Sequence, residues 1–287
     1  MRVILLGSGE RPGVWEAVEQ LRPEIVRCCD IVAEDFTATQ NLNALDADFA
    51  IVFGGDGSIL RAAVQMGNRQ FPVVSVNLGT LGFLADFTPK MLSDLLTNGK
   101  TIHDLPCEEY LMLSCQVWRR KQLLLEHTAL NEAAVQAGPP YRMLEIDLFA
   151  DQERITTYHC DGLIISTPVG STARNLSAGG PILRNTLDVV TISPVSAHTL
   201  SHRPVVDSAS RVYRLQVRTP EASILLDGRT VMVAEAGDHI LVTRAASRFK
   251  MIKPPDFSYY QTLREKLGWG GLFDVVEKKS TVTIQSP

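Results

Sequence analysis

No apolar stretch in this 287-residue chain approaches the ~20 residues that a membrane-spanning helix requires. The apolar run near the start, Val3-Ile4-Leu5-Leu6, is four residues long. A secretory signal needs ~7–15, so the run reads as a first buried strand and the expected compartment is the cytoplasm. Cysteine is scarce: Cys28, Cys29, Cys107, Cys115 and Cys160 are five, an odd number, and no pair has C-x-x-C spacing. That argues against a disulfide framework and against a zinc site, and fits a reducing compartment. The net charge is −4 with no broad basic field, which argues against nucleic acid as the main partner but leaves room for a local site taking a small anion. Internal repeats and low-complexity segments are absent. What remains is an ordinary globular composition, 45% apolar and 21% charged, at a length that suggests roughly two domains.

Residues 1–105 have an α/β pattern. Val3–Leu6, Phe49–Phe53 and Val73–Val76 are apolar without alternation, as expected of strands covered on both faces. Trp15–Val26 reads as a helix, and Ile59, Leu60, Ala63 and Val64 share one helical face. Strand, helix, strand in this order predicts an open, mostly parallel, Rossmann-like sheet. From residue 106 onward, short β-like runs follow one another: Leu111–Val117, Leu123–Leu130, Met143–Phe149, Leu163–Ser166, Val189–Ile192, Val212–Val217 and Ile240–Thr243. The expected architecture of 106–287 is a β-sandwich, with one helix, Tyr259–Leu267, in the tail.

Chemistry concentrates at the ends of these strands. Gly54-Gly55-Asp56-Gly57-Ser58 lies between a strand and a helix, at the strand's carboxyl end, where open α/β sheets bind ligands. Its glycines allow a tight turn and close backbone approach, and the exposed N–H groups of turn and helix start suit phosphate oxygens. Ser58 is placed to cap the helix. Asp56 is unexpected in a purely phosphate-binding loop, since its charge repels phosphate; a carboxylate there suits a base or an indirect metal ligand. By itself the segment also fits a plain strand–helix turn. Asn77-Leu78-Gly79-Thr80-Leu81-Gly82-Phe83-Leu84 follows the next strand, with Asn77 placed to hydrogen-bond across to the first loop. Asn131-Glu132 by itself reads as a turn, and Asp227-Gly228-Arg229 as a hairpin turn. Asp161–Pro181 gathers hydroxyls, small residues and glycines too polar for a dry core, and suits ribose and base edges. His198, His202 and Arg203 form one more polar cluster.

Taken together and in this order, GGDG, N-x-G-x-L-G-F-L, N-E, D-G-x-x-x-x-T-P-x-G-S-T-A and H-T-L-S-x-R-P resemble the NAD kinase family over nearly the whole chain, to the tail segment Leu263–Trp269. The resemblance implies a site between an α/β domain and a β-sandwich, in a homodimer or homotetramer whose neighbouring subunit helps complete it. It implies NAD and ATP (or polyphosphate) as substrates, with Mg²⁺ carried in on the nucleotide. Asp56 would activate the 2′-hydroxyl of the adenosine ribose, and Gly54, Gly55 and Gly57 would face phosphates, with Asn77 in the adjoining loop. Asn131 and Glu132 would hold the ribose and adenine region. Asp161, Thr172, Ala173, Arg174, Asn175, Leu176 and Ser177 would line the dinucleotide pocket, and Arg61, Arg142 and His159 would add further contacts.

Three positions depart from the family pattern. Val169 stands where Thr or Ser is usual, which removes a hydroxyl contact; Arg174 replaces a Tyr, although a guanidinium also lies flat on an adenine; Arg229 replaces a Gln. These bear on nucleotide preference, not on the chemistry expected of Asp56. A diacylglycerol-type lipid kinase also carries G-G-D-G, but Asn131-Glu132 and the Thr167–Pro181 run argue against it. A non-catalytic dinucleotide sensor has no evident need of Asp56. An oxidoreductase is disfavoured because Gly7-Ser8-Gly9 lacks the third glycine of the G-x-G-x-x-G fingerprint.

Overall fold

The computed structural model describes residues 1–79, 82–97, 102–139 and 141–269. Thr80 and Leu81 of the second loop, and the tail beyond residue 269, lie outside them. In chain order the first elements are β1 (Arg2–Gly7), α1 (Val14–Cys28), β2 (Asp30–Asp35), β3 (Phe49–Phe53), α2 (Asp56–Met66), β4 (Pro72–Val76), α3 (Pro89–Thr97) and β5 (Cys107–Tyr110). Then come β6 (Leu113–Arg119), β7 (Gln122–Ala129), β8 (Glu132–Ala137), β9 (Leu144–Ala150), β10 (Glu153–Cys160), β11 (Gly162–Ser166), the short helix α4 (Arg174–Ser177), β12 (Val189–Val195), β13 (Val205–Ser208), β14 (Tyr213–Val217), β15 (Ala222–Leu226), β16 (Arg229–Ala234), β17 (His239–Arg244), β18 (Phe249–Ile252) and α5 (Tyr259–Leu267).

The first sheet has the order β2-β1-β3-β4-β18-β5, parallel except for β5. Its central strands are buried along almost their whole length because helices cover both faces: β3 is apolar and buried at every residue. The chain leaves β1 toward β2 on one side, and β3 lies on the other. The crevice at the carboxyl ends of β1 and β3 is therefore the topological switch point, the place such sheets use for ligands.

The other two sheets, β10-β9-β14-β17-β6-β7 and β13-β12-β11-β8-β15-β16, are antiparallel. They enclose one apolar cluster drawn from both, including Val117, Ile146, Ile165, Ile192, Leu215 and Val242. This is the expected sandwich. The division expected at residue 105 is crossed by two strands, since β5 and β18 complete the first sheet. Each is only four residues long and gains its partner from distant chain, so neither has a legible pattern of its own. Edge strands β10 and β13 have no apolar run longer than two residues and so leave no strand signal in the sequence.

Candidate functional site

Three loops meet at the switch point. Gly54 ends β3 at φ 137°, a conformation open to glycine, and a Cβ there would overlap the Ser58 hydroxyl. Gly55 is the N-cap of α2 and makes no side-chain cap bond. Ser58 is therefore not the cap expected from sequence: it is the third residue of the helix, in its first turn, against Gly54.

Asp56 opens α2, and its carboxylate faces the second loop. The backbone N–H groups of Phe83, Leu84 and Ala85 donate to it at 2.9, 3.1 and 3.3 Å. This close approach needs Gly82, where a Cβ would overlap Asp56 Oδ1. Asn77 does not reach across to the first loop; its side chain accepts the Gly79 N–H at 2.9 Å and closes its own turn. Three of the roughly four lone-pair directions of the Asp56 carboxylate are thus used by one segment. That fixes the group in orientation, with one direction left.

Arg11, on the loop after β1, was not singled out by the sequence reading. A Cβ on Gly55 would stand 2.9 Å from its Nη1, and one on Gly79 3.3 Å from its Nη2, so the guanidinium lies across both glycine turns. It is exposed and has no hydrogen bond or ion pair among the described residues. Arg61, five residues along α2 from Asp56, donates to Ser8 Oγ of the same loop at 3.4 Å. Two cations therefore flank the glycine loop. The signal that could have revealed Arg11 is topological: a basic residue at the carboxyl end of β1, beside the switch point.

The second domain contributes the opposite side. Asp227 and Gly228 both have positive φ, 47° and 76°, the two-residue hairpin expected from Asp-Gly. The Asp227 carboxylate accepts the N–H groups of Leu130 and Asn131 at 3.0 and 2.7 Å and so fixes the Asn131-Glu132 corner. Thr167 laces the next loop to the same corner: its N–H donates to Asn131 O and its hydroxyl to Leu130 O, at 2.8 and 2.6 Å. Arg61 lines a cavity of about 240 Å³ with Asp227 and Arg229, between α2 and this domain. Arg174, donating to Gln136 Oε1 at 3.0 Å, lines a second of about 160 Å³ together with Ser177.

Two side chains point elsewhere than expected. Val169, 4% exposed, packs into the cluster formed by Ile59, Leu84, Leu130 and Tyr110. Its methyls join the two domains, so the departure at this position concerns core packing, not a ligand hydroxyl. Asn175, fully buried, donates to Ser171 O and Pro181 O, both at 3.1 Å, and accepts the Ser193 hydroxyl at 2.7 Å. Its amide braces the loop from inside and is turned away from the open surface. Thr172 bonds back to Val169 O, while Ala173 and Leu176 are half-buried. Asp161, between β10 and β11, and Arg142 are exposed, without side-chain bonds among the described residues, and His159 is half-buried on β10. His202 packs against Tyr158 with ring centroids 4.7 Å apart and ring planes tilted by 53°.

Glu132, 1% exposed, has Oε2 without a partner. Burial, together with the nearby Asp227 charge, pushes its carboxyl up to about 7 from an ordinary 4.5. The folded state thus holds a proton that the unfolded chain releases above 4.5, so Glu132 costs stability progressively from pH 4.5 to 7 and fully above. Glu132→Gln is expected to stabilise the ligand-free protein at pH 8 by on the order of 1–3 kcal/mol, with the gain shrinking toward pH 5. Thermal unfolding at the two pH values checks this; an equal shift at both would count against it.

Residues 14–100 match the ATP-NAD kinase N-terminal domain and residues 130–254 the ATP-NAD kinase C-terminal domain. The NAD kinase of Rhodopirellula baltica is 46% identical over 275 residues, covering 94% of this chain and 87% of its own. That of Geobacter sulfurreducens is 38% identical over 226 residues, 78% of this chain and 79% of its own. The chain belongs to the NAD kinase family. It is accordingly a phosphotransferase. Solved NAD kinase structures share its fold: yeast NADH kinase complexed with NADH superposes with a TM-score of 0.83 at 21% identity, over 94% of this chain and 88% of that one. The Archaeoglobus fulgidus NAD kinase in complex with ATP gives 0.75 at 23%, over 93% and 98%.

Proposed function

We propose that this NAD kinase family member phosphorylates the 2′-hydroxyl of the adenosine ribose of NAD to give NADP, with Asp56 as the base. The observation that carries the reading is the Asp56 carboxylate at the start of α2, fixed by the amides of Phe83, Leu84 and Ala85 beside a glycine loop that Arg11 and Arg61 flank. An alcohol is a weak nucleophile and an ordinary carboxylate a weak base, so positioning and charge neutralisation dominate phosphoryl transfer. The ribose oxygen bonds to the terminal phosphorus of the donor while the bond from that phosphorus to its bridging oxygen breaks. Asp56 takes the hydroxyl proton late. Arg11, Arg61 and the N–H groups at Gly54, Gly55 and Gly57 hold the donor phosphates, on which magnesium arrives as part of the substrate and offsets charge. Asn131, Glu132, Asp161 and the Thr172–Ser177 segment hold the dinucleotide, with Asn77 shaping the adjoining turn.

Purified protein with NAD, ATP and Mg²⁺ is expected to produce NADP. Parallel runs replace ATP by inorganic polyphosphate and NAD by NADH. No NADP with either donor overturns the reading, and phosphorylation of diacylglycerol in vesicles instead of NAD moves it to a lipid kinase. We further propose a cytoplasmic homodimer or homotetramer. Five free cysteines support a reducing compartment. Exposed Leu123 and Leu124 on β7, Ile155 on β10 and Val205 and Val206 on β13 support association through edge strands.

A further inference from the structure

The second loop bonds Asp56 through its backbone, so whatever fixes that loop fixes Asp56. Two groups do so. Ser75, buried on β4, donates its hydroxyl to Leu84 O at 3.0 Å and accepts the Asp86 N–H at 3.1 Å. The other is Lys253, which follows β18. Its Nζ donates to Asp86 Oδ2 at 2.7 Å, and the two side chains are 2% and 4% exposed. Lys253 is itself held tightly: its N–H donates to Pro106 O at 2.8 Å, and its ammonium lies 4.2 Å from the Phe257 ring and 5.3 Å from the Tyr110 ring. Asp86 is the residue directly after Ala85, the last of the three amides on Asp56.

We infer that the Lys253–Asp86 pair is a positioning device for the proposed phosphoryl transfer, tethering Phe83–Ala85 so that Asp56 is held at the angle its reaction needs. This rests on the reading of Asp56 as the base. A tether made of an ion pair suits this place better than an apolar contact, because Asp86 lies close enough to Asp56 to repel it. The groups facing Asp86 are Lys253, Asp56 from α2, and Glu108 and Tyr110 from β5. Burial, which outweighs the attraction of Lys253, and the charges of Asp56 and Glu108 push the Asp86 carboxyl up to about 6. Lys253 is the cation that lets two carboxylates share the region. Without it, Asp86 takes a proton, the link to β18 is lost, and the amides of Phe83, Leu84 and Ala85 are free to drift. A displacement on the order of 1 Å at a reacting group costs up to about 10²-fold in rate.

The test uses Lys253→Met and the paired variant Asp86→Asn/Lys253→Met. The second leaves no charge buried alone, and replacing both members of a buried pair costs less stability than removing one. NADP formation from NAD, ATP and Mg²⁺ is followed beside NAD-binding stoichiometry by calorimetry and hydrogen exchange of the segment 82–87. The expected result is a kcat at least about 10-fold lower in both variants, KM for each substrate within about threefold, unchanged NAD stoichiometry and faster exchange at Phe83–Ala85. The paired variant at wild-type kcat overturns the inference. So does a fall in kcat matched by a fall in binding stoichiometry, which marks lost fold. A wild-type protein that makes no NADP overturns the function reading and this one with it.

Discussion

Replacing Asp56 by asparagine is expected to lower kcat for NADP formation about 10³-fold, within the 10²–10⁴ that a positioned base contributes, with KM for NAD and ATP changed by less than about threefold. The substitution keeps size and shape. An amide oxygen in the Oδ1 position still accepts the Leu84 and Ala85 N–H groups, but an NH₂ facing Phe83 meets another donor where the carboxylate accepted at 2.9 Å. One buried donor left unsatisfied costs on the order of 1–3 kcal/mol, so the loop loosens while the fold persists. Steady-state kinetics with a thermal unfolding control separate the two effects. A folded variant that forms NADP at the wild-type rate removes Asp56 from the chemistry and leaves it as a structural clamp.

Arg11→Ala is expected to reduce kcat/KM for the phosphate donor by about 10- to 100-fold, the worth of one charge-assisted bond from guanidinium to phosphate, and to leave KM for NAD near its wild-type value. Arg11 lies over Gly55 and Gly79 with no carboxylate partner among the described residues, so the substitution breaks no internal bond and stability is expected to hold. Arg11→Lys is expected to recover part of the loss, since an ammonium supplies charge without the planar fork. The donor dependence also distinguishes ATP from polyphosphate: the loss appears with whichever donor the loop binds. An unchanged donor kcat/KM in Arg11→Ala takes this residue out of the site.

The Lys253–Asp86 inference and the Glu132→Gln prediction bear on different properties. One trades rate at constant binding; the other adds stability at the expense of a group proposed to hold the dinucleotide. Both arise from buried carboxylates whose charged neighbours come from distant chain. Such groups keep their cost in the folded state only where the site needs them.

Gly54–Ser58 and the Asp227-Gly228 hairpin were legible because their constraints are local. A glycine with positive φ, a strand before it and a helix after it leave few conformations open, and a carboxylate inside that turn is visible as out of place. The two domain types were legible from the spacing of apolar runs, and the order of five segments carried the family resemblance. Side-chain direction was not legible. Val169 faces Ile59, Leu84 and Leu130 because the two domains pack there, and Asn175 turns inward because Ser171, Pro181 and Ser193 surround it. Strand alternation does not extend through loops of this kind, so a residue's neighbours decide which way it points. Arg11 joins the glycine loop only because β1 and β3 are adjacent in a sheet whose order reverses between them. Lys253 meets Asp86 across 167 residues of sequence, since β18 returns to lie beside β4. Local backbone chemistry determined the turns and their glycines, and the order of five such segments carried the resemblance that points to the reaction. Long-range pairing, which no short segment encodes, decided which charges surround Asp56 and how firmly it is held.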